Sequence, residues 1–202
     1  MMSQPQGTRL LKLTTLNING GHTKPNKLSV LLQHVTARKL TFVALQETHH
    51  ADESEALGWM RAGTGRGHPA KCCSYWKAGT TASRGVGILY YPHPDVRDVR
   101  VHEYSLSPDL MQHEGRALRV DYKYCGHPCS LINVYAPSTP EDRVRFYTHV
   151  LLPLMPQGRR LIITGDFNCI EDDQLDQAPS KHPAGTSGRR VGYERGLEHV
   201  EA

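Results

Sequence analysis

The chain has 202 residues, 38% hydrophobic and 22% charged, which is enough for one packed domain and too apolar for wholesale disorder. Its 24 basic and 20 acidic residues give a net charge of +4, a balance that suits a polyanionic partner, nucleic acid above all, without demanding one. No apolar run approaches the ~20 residues of a membrane span, residues 1–8 are polar and lack the apolar stretch of a secretory signal, and five irregularly spaced cysteines point to a reduced, intracellular protein.

In chain order, residues 1–8 read as a disordered segment and 9–202 as a single domain. Leu10 to Ile18 reads as a strand that Gly20-Gly21 ends. Pro25 opens a helix whose Leu28, Leu31, Leu32 and Val35 recur at the spacing of one apolar face. Leu40 to Gln46 is a near-continuous apolar strand. Residues 62–82 read as a loop with a short strand at Cys73 to Trp76. Gly85 to Tyr91 is a strand stopped by Pro92 and Pro94, and Val96 to Tyr104 is another. Ala117 to Tyr124 pairs with Ser130 to Tyr135 across the Gly126–Pro128 turn. Thr139-Pro140-Glu141-Asp142 starts a helix, with a capping hydroxyl, proline in the first turn and acids at the positive end of the dipole; the helix runs to about Leu154. Leu161 to Thr164 is the last clear strand. After Glu171 the composition is that of a loop, with one further helical start at Tyr193 to Val200. Two or three helices among seven or more strands, with hairpins and crossovers mixed, predict an α+β fold, a layered β-sandwich flanked by helices.

Four of these strands end in polar groups. The first ends Leu16-Asn17-Ile18-Asn19-Gly20, the second Leu45-Gln46-Glu47-Thr48-His49, a third Asn133-Val134-Tyr135-Ala136-Pro137 and the last Thr164-Gly165-Asp166-Phe167-Asn168. Alternation along an extended strand would turn Asp166 and Asn168 to the same side, with Gly165 allowing close backbone approach. Apolar strands ending this way are the expected floor of a catalytic site at one rim of a sheet.

These four segments, in this order, resemble the endonuclease/exonuclease/phosphatase superfamily, which has the deoxyribonuclease I-like fold and includes apurinic endonucleases. The runs Leu-Asn-Ile-Asn-Gly, Gln-Glu-Thr-His and Val-Tyr-Ala-Pro are most similar to the endonuclease domain of non-LTR (LINE-type) retrotransposons, as are Gly85 to Leu89 and Gly115-Arg116. The resemblance implies a metal-dependent phosphodiesterase that nicks DNA. Glu47 would be the main ligand of Mg2+ (or Mn2+). Asn17 and Asn168 would hold the scissile phosphate, Asp166 would orient or activate the attacking water, and the Tyr135 hydroxyl would bond a phosphate oxygen. Asn19 and Arg116 are further candidates for substrate contact. Asn19 replaces an acid of the repair enzymes, and Arg116 reads more readily as a structural or surface arginine, although the family often turns an arginine here toward the site. The resemblance also implies a monomer or part of a polyprotein with reverse transcriptase, nuclear in location.

The same resemblance leads one to expect a terminal histidine segment that the sequence lacks; the last histidine, His199, sits in a helix-like run. The domain therefore reads as C-terminally truncated and its activity as impaired. An inactive DNA-binding remnant, a repair apurinic endonuclease and a phosphatase of the same superfamily stay open as alternatives. Cys72-Cys73 and Cys125-Gly126-His127-Pro128-Cys129 have poor spacing for a zinc site. His49-His50 reads as a solvated strand exit more readily than as a ligand pair.

Overall fold

The computed structural model describes residues 10–20, 25–63 and 72–169. One sheet holds β1 (Leu13–Asn17), β2 (Phe42–Gln46), β3 (Cys73–Lys77) and β4 (Val86–Tyr90), in the order β1-β2-β4-β3. The other holds β5 (Val96–Val101), β6 (Ala117–Tyr124), β7 (His127–Tyr135) and β8 (Arg160–Asp166), in chain order. Both sheets are mixed: β1 runs parallel to β2 and β7 parallel to β8, and the other neighbours are antiparallel. This is the α+β sandwich expected from the sequence.

Side-chain alternation explains the layers. Phe42, Val86, Ile88 and Tyr90 of the first sheet meet Leu118, Val120, Tyr122 and Leu131 of the second in one buried cluster. Phe42 sits at its centre, with ring centroids 5.2 Å from Tyr90 and 5.0 Å from Tyr122. The intervening residues Val43, Leu45 and Leu89 face outward onto α1 (Pro25–Arg38) and α2 (Glu53–Gly63). Because β2 is covered on both faces, all five of its residues are buried, which is why it reads as a continuous apolar run. On the far side, Ile132 and Val134 pack against Phe146, Val150, Leu151 and Leu154. Those four come from α3 (Pro140–Phe146), which continues through a π turn (Tyr147–Leu151) and a last helical turn (Leu152–Leu154). The widened turn lies just before Pro153, which has no N–H to donate.

Three local expectations need correcting. The sequence reading has no helix at α2, yet a capping box starts one there: Asp52 Oδ1 accepts from the Glu55 N–H at 2.8 Å, and Glu55 Oε2 accepts from the Ala51 N–H at 2.8 Å. Thr139 does not cap α3 through its side chain; its hydroxyl donates to Asp142 Oδ2 at 2.7 Å instead. The His49-His50 exit is not solvated: His50 is 1% exposed and packs between Trp59 and Trp76. The expected loop after Glu171, the helix at Tyr193 to Val200, His199 and residues 1–8 lie outside the described residues. No described helix is long and apolar enough to cross a membrane.

Candidate active site

The two parallel strand pairs fix where the site forms. Asn17 is in register with Gln46, and Tyr135 with Asp166. Parallel partners end together, so each sheet brings two chain ends to the same rim. There, 149 residues apart in sequence, Asn17 and Asp166 meet: Asn17 Nδ2 donates to Asp166 Oδ2 at 3.0 Å and to Glu47 Oε1 at 2.7 Å. One amide group thus ties a carboxylate from each sheet. The Tyr135 phenol faces the Glu47 carboxylate as well, near enough to feel its charge. Burial, reinforced by the Glu47 carboxylate, pushes the Tyr135 phenol up to about 12, so it stays protonated at neutral pH.

Backbone strain sits at the same place. Asn19, Glu47, His49 and Asn168 all have positive φ, at 42°, 51°, 56° and 46°. For Glu47 and His49 this left-handed conformation costs about 1–3 kcal/mol each. It turns the chain sharply after β2 and aims the Glu47 carboxylate back over the strand end. Gly165 is required for a different reason: a Cβ there would lie 1.9 Å from the Val134 oxygen. Its absence lets β8 close onto β7 immediately before Asp166.

Residues 14–194 match the endonuclease/exonuclease/phosphatase family. The chain belongs to this family. It is 29% identical over 181 residues to the transposon TX1 uncharacterized 149 kDa protein of Xenopus laevis, a match covering 88% of the chain and 12% of that protein. The fold of this endonuclease/exonuclease/phosphatase domain is similar to an AP endonuclease from Archaeoglobus fulgidus: TM-score 0.52, 18% identity, 79% of the chain and 58% of that one covered. It is similar too to D. rerio TDP2 complexed with a single strand DNA product, with a TM-score of 0.55, 16% identity, and 87% and 66% of the two chains covered. The domain thus spans a small part of its transposon relative and little more than half of the archaeal enzyme.

Within the family domain, Asn17, Glu47, Tyr135 and Asp166 stand together. The other candidates are placed differently. β8 ends at Asp166, so strand alternation does not carry on to Asn168. Asn168 is instead held by its own bonds: its N–H donates to Asp166 Oδ1 at 3.0 Å and its amide to the Ala136 oxygen at 2.6 Å. Asn19 contributes backbone, with its N–H on Asn17 Oδ1 at 3.0 Å and its carbonyl accepting from Lys27 Nζ at 2.9 Å. Arg116 lies over the Tyr135 ring, 5.2 Å from its centroid, and donates to the Tyr135 carbonyl at 3.3 Å. It steadies the phenol from behind.

Sequence reading missed several supports. His49 Nε2 lies 3.4 Å from Glu47 Oε2. Arg143 donates to the carbonyls of Ser138 and Asn168, and the Tyr147 hydroxyl to the carbonyl of Phe167 at 2.8 Å, pinning the segment after β8 to α3. Gln46 and Asn133 bond each other inside the sandwich. Gln46 and Asn133 lie inside the strand-end runs that mark the site, but those runs give them no role; their inward-facing strand positions, where apolar residues are the rule, are the further signal.

The donor set fits a hard divalent cation. Glu47 and Asp166 offer carboxylate oxygens around one shared amide, and no described group of three or more His, Cys, Asp or Glu residues is placed to hold a metal. Carboxylate oxygens are donors that Mg2+ accepts, whereas a thiolate or imidazole set would suit zinc. A shallow hollow of about 370 Å3 lined by His127, Pro128, Gly158, Arg159 and Arg160 lies at the opposite ends of β7 and β8 and takes no part.

Proposed function

We propose that this chain is a magnesium-dependent phosphodiesterase that nicks DNA, as the endonuclease domain of a retrotransposon-type protein. The observation that carries the reading is the single Asn17 amide shared by Glu47 and Asp166, one carboxylate from each sheet. The match to a transposon protein supports the retrotransposon setting; a nuclear location and a parent protein with reverse transcriptase belong to the same proposal.

Each residue then has a role its chemistry allows. Glu47 would be the main cation ligand, with Asp166 nearby. A bound divalent cation would neutralise charge on the phosphodiester and on the leaving oxygen. Asp166 has one oxygen fixed by the Asn168 N–H and the other by Asn17, so it is oriented to take a proton from the attacking water. The Asn17 amide would donate to a phosphate oxygen. Tyr135, kept protonated by its surroundings, donates a second bond to the phosphate. Asn168 shapes the loop around Asp166 and joins the phosphate contacts. Hydrolysis in line with the bond to the leaving oxygen leaves a nick with a free 3′-hydroxyl.

The test is conversion of supercoiled plasmid to the open circle with Mg2+, followed by direct extension of the nick by a DNA polymerase. Weak nicking that a chelator abolishes, with extendable ends, is expected. Chelator-resistant nicking, or hydrolysis confined to phosphomonoesters, overturns the reading. Strong preference for abasic duplex over undamaged plasmid would make the domain a repair enzyme instead.

A further inference from the structure

Two amides are buried where the sandwich should be apolar. Gln46 is 1% and Asn133 0% exposed, and both sit between the sheets. Gln46 Nε2 donates to Asn133 Oδ1 at 2.5 Å and to Thr15 Oγ1 at 3.0 Å. Asn133 Nδ2 donates across the gap to the carbonyls of Leu45 at 2.8 Å and Gly87 at 2.9 Å. The pair therefore reaches β1 through Thr15, β2 through Gln46 and Leu45, β4 through Gly87 and β7 through Asn133. β8 follows, because Asn133 is in register with Thr164.

Every strand that carries a site residue is gathered at this one contact, a residue or two inside the rim. Gln46 directly precedes Glu47. Asn133 is two residues before Tyr135, and its register partner Thr164 is two before Asp166. Apolar contact between sheets is non-directional and tolerates small slides. Hydrogen bonds between buried amides do not, since a displaced pair leaves donors and acceptors unmet in a low dielectric. Burying amides here gains no stability that an apolar pair of similar volume would not also give. What it adds is a fixed offset between the sheets.

We infer that Gln46 and Asn133 are positioning residues for the phosphodiester site, the buried link that sets where Glu47 stands relative to Tyr135 and Asp166. The inference rests on the phosphodiesterase reading for its consequence in rate, but not for its geometry. A displacement near 1 Å between reacting groups can cost about 100-fold in rate. The carboxylates come from different sheets, so a slide between the sheets is such a displacement.

The test uses Gln46→Met, which keeps length and removes the amide while leaving both backbone bonds of Asn133 in place, together with Asn133→Leu and the double variant. Three quantities are read on the full chain: the thermal melt, kcat and KM for plasmid nicking, and the NMR resonances of the Asn17 side-chain amide, assigned by their loss in Asn17→Asp. That amide spans the two sheets and reports their offset with or without activity. Gln46→Met is expected to melt cooperatively, to move the Asn17 resonances, and to lose about tenfold or more in kcat with KM within about twofold. The double variant falls no further than the worse single one, because one link is being broken. If Asn133→Leu does not fold, Gln46→Met decides alone. A folded Gln46→Met with unmoved Asn17 resonances, or with unchanged kcat in an active chain, overturns the inference. A wild-type chain that does not nick overturns the phosphodiesterase reading, while moved resonances would still support the link.

Discussion

Asn17 and Asp166 are separated by 149 residues of chain and by one hydrogen bond of 3.0 Å, from the Asn17 amide to the Asp166 carboxylate. The second proton of that amide is on Glu47. A neutral amide between two carboxylates holds both by hydrogen bonds to their oxygens without adding a charge of its own. Asn17→Ala removes the donor and any phosphate contact it makes. Loss of about 100-fold or more in kcat is expected, by analogy with other oriented amide donors to a developing charge. Plasmid nicking at saturating DNA measures it; a rate within threefold of wild type would remove Asn17 from the site.

Tyr135 is held protonated. Its folded-state pKa is raised to about 12, first by burial and then by Glu47, above the value of about 10 in an unfolded chain. A raised pKa means the folded state holds the proton more tightly. The associated stability is therefore complete below about pH 10 and is lost as pH rises toward 12. Tyr135→Phe should flatten that part of the Tm profile and lower kcat about 10- to 100-fold at neutral pH, since only the hydroxyl is removed. An unchanged alkaline limb in the variant would contradict this assignment.

Far from the rim, Asp121 anchors α3 to the second sheet. It pairs with Arg119 at 2.8 Å and 3.0 Å and accepts from Ser130 Oγ at 2.6 Å, while Arg119 reaches the Leu154 carbonyl at 3.1 Å. Burial raises the Asp121 pKa, but the bonds from Arg119 and Ser130 and the nearby arginines outweigh it and leave the carboxyl below its ordinary value. A lowered pKa gives stability present above about pH 4 and lost as pH falls through the folded value. Asp121→Asn strands the buried Arg119 and should cost about 3–5 kcal/mol near neutrality. Urea melts at pH 3 and pH 7 check both points: the gap between wild type and variant should narrow in acid.

Gly165 has φ 139° and faces the Val134 carbonyl so closely that a methyl group would stand 1.9 Å from it. Gly165→Ala must either part β8 from β7 or rotate the strand end that carries Asp166. A destabilisation beyond about 1 kcal/mol is expected, with a disproportionate loss of nicking. A melt matching wild type would show that the strand end yields freely.

The core strands were legible because their apolar pattern matches their burial: β2 and β4 are covered on both faces and read as unbroken apolar runs. Glu47, Tyr135 and Asp166 were legible because each ends such a strand. Asn168 was placed by extending alternation past Asp166, where the chain has already left the strand and turned left-handed. The α2 helix is hard to read because its signal is the pair of caps from Asp52 and Glu55 rather than a strong apolar stripe. Gln46 and Asn133 could not be interpreted from sequence at all, since their meaning lies in a contact between strands 87 residues apart.

The central claim is that Glu47 and Asp166 act as one cation-dependent unit on a phosphodiester. The most direct measurement is the rate of plasmid nicking with Mg2+ by the wild-type chain, Glu47→Gln, Asp166→Asn and the double variant. Each single substitution should remove about 100-fold or more of the rate, and the double variant should be no slower than the worse of the two, as residues of one unit behave. Nicking that survives both substitutions, or losses that simply multiply in the double variant, would contradict it.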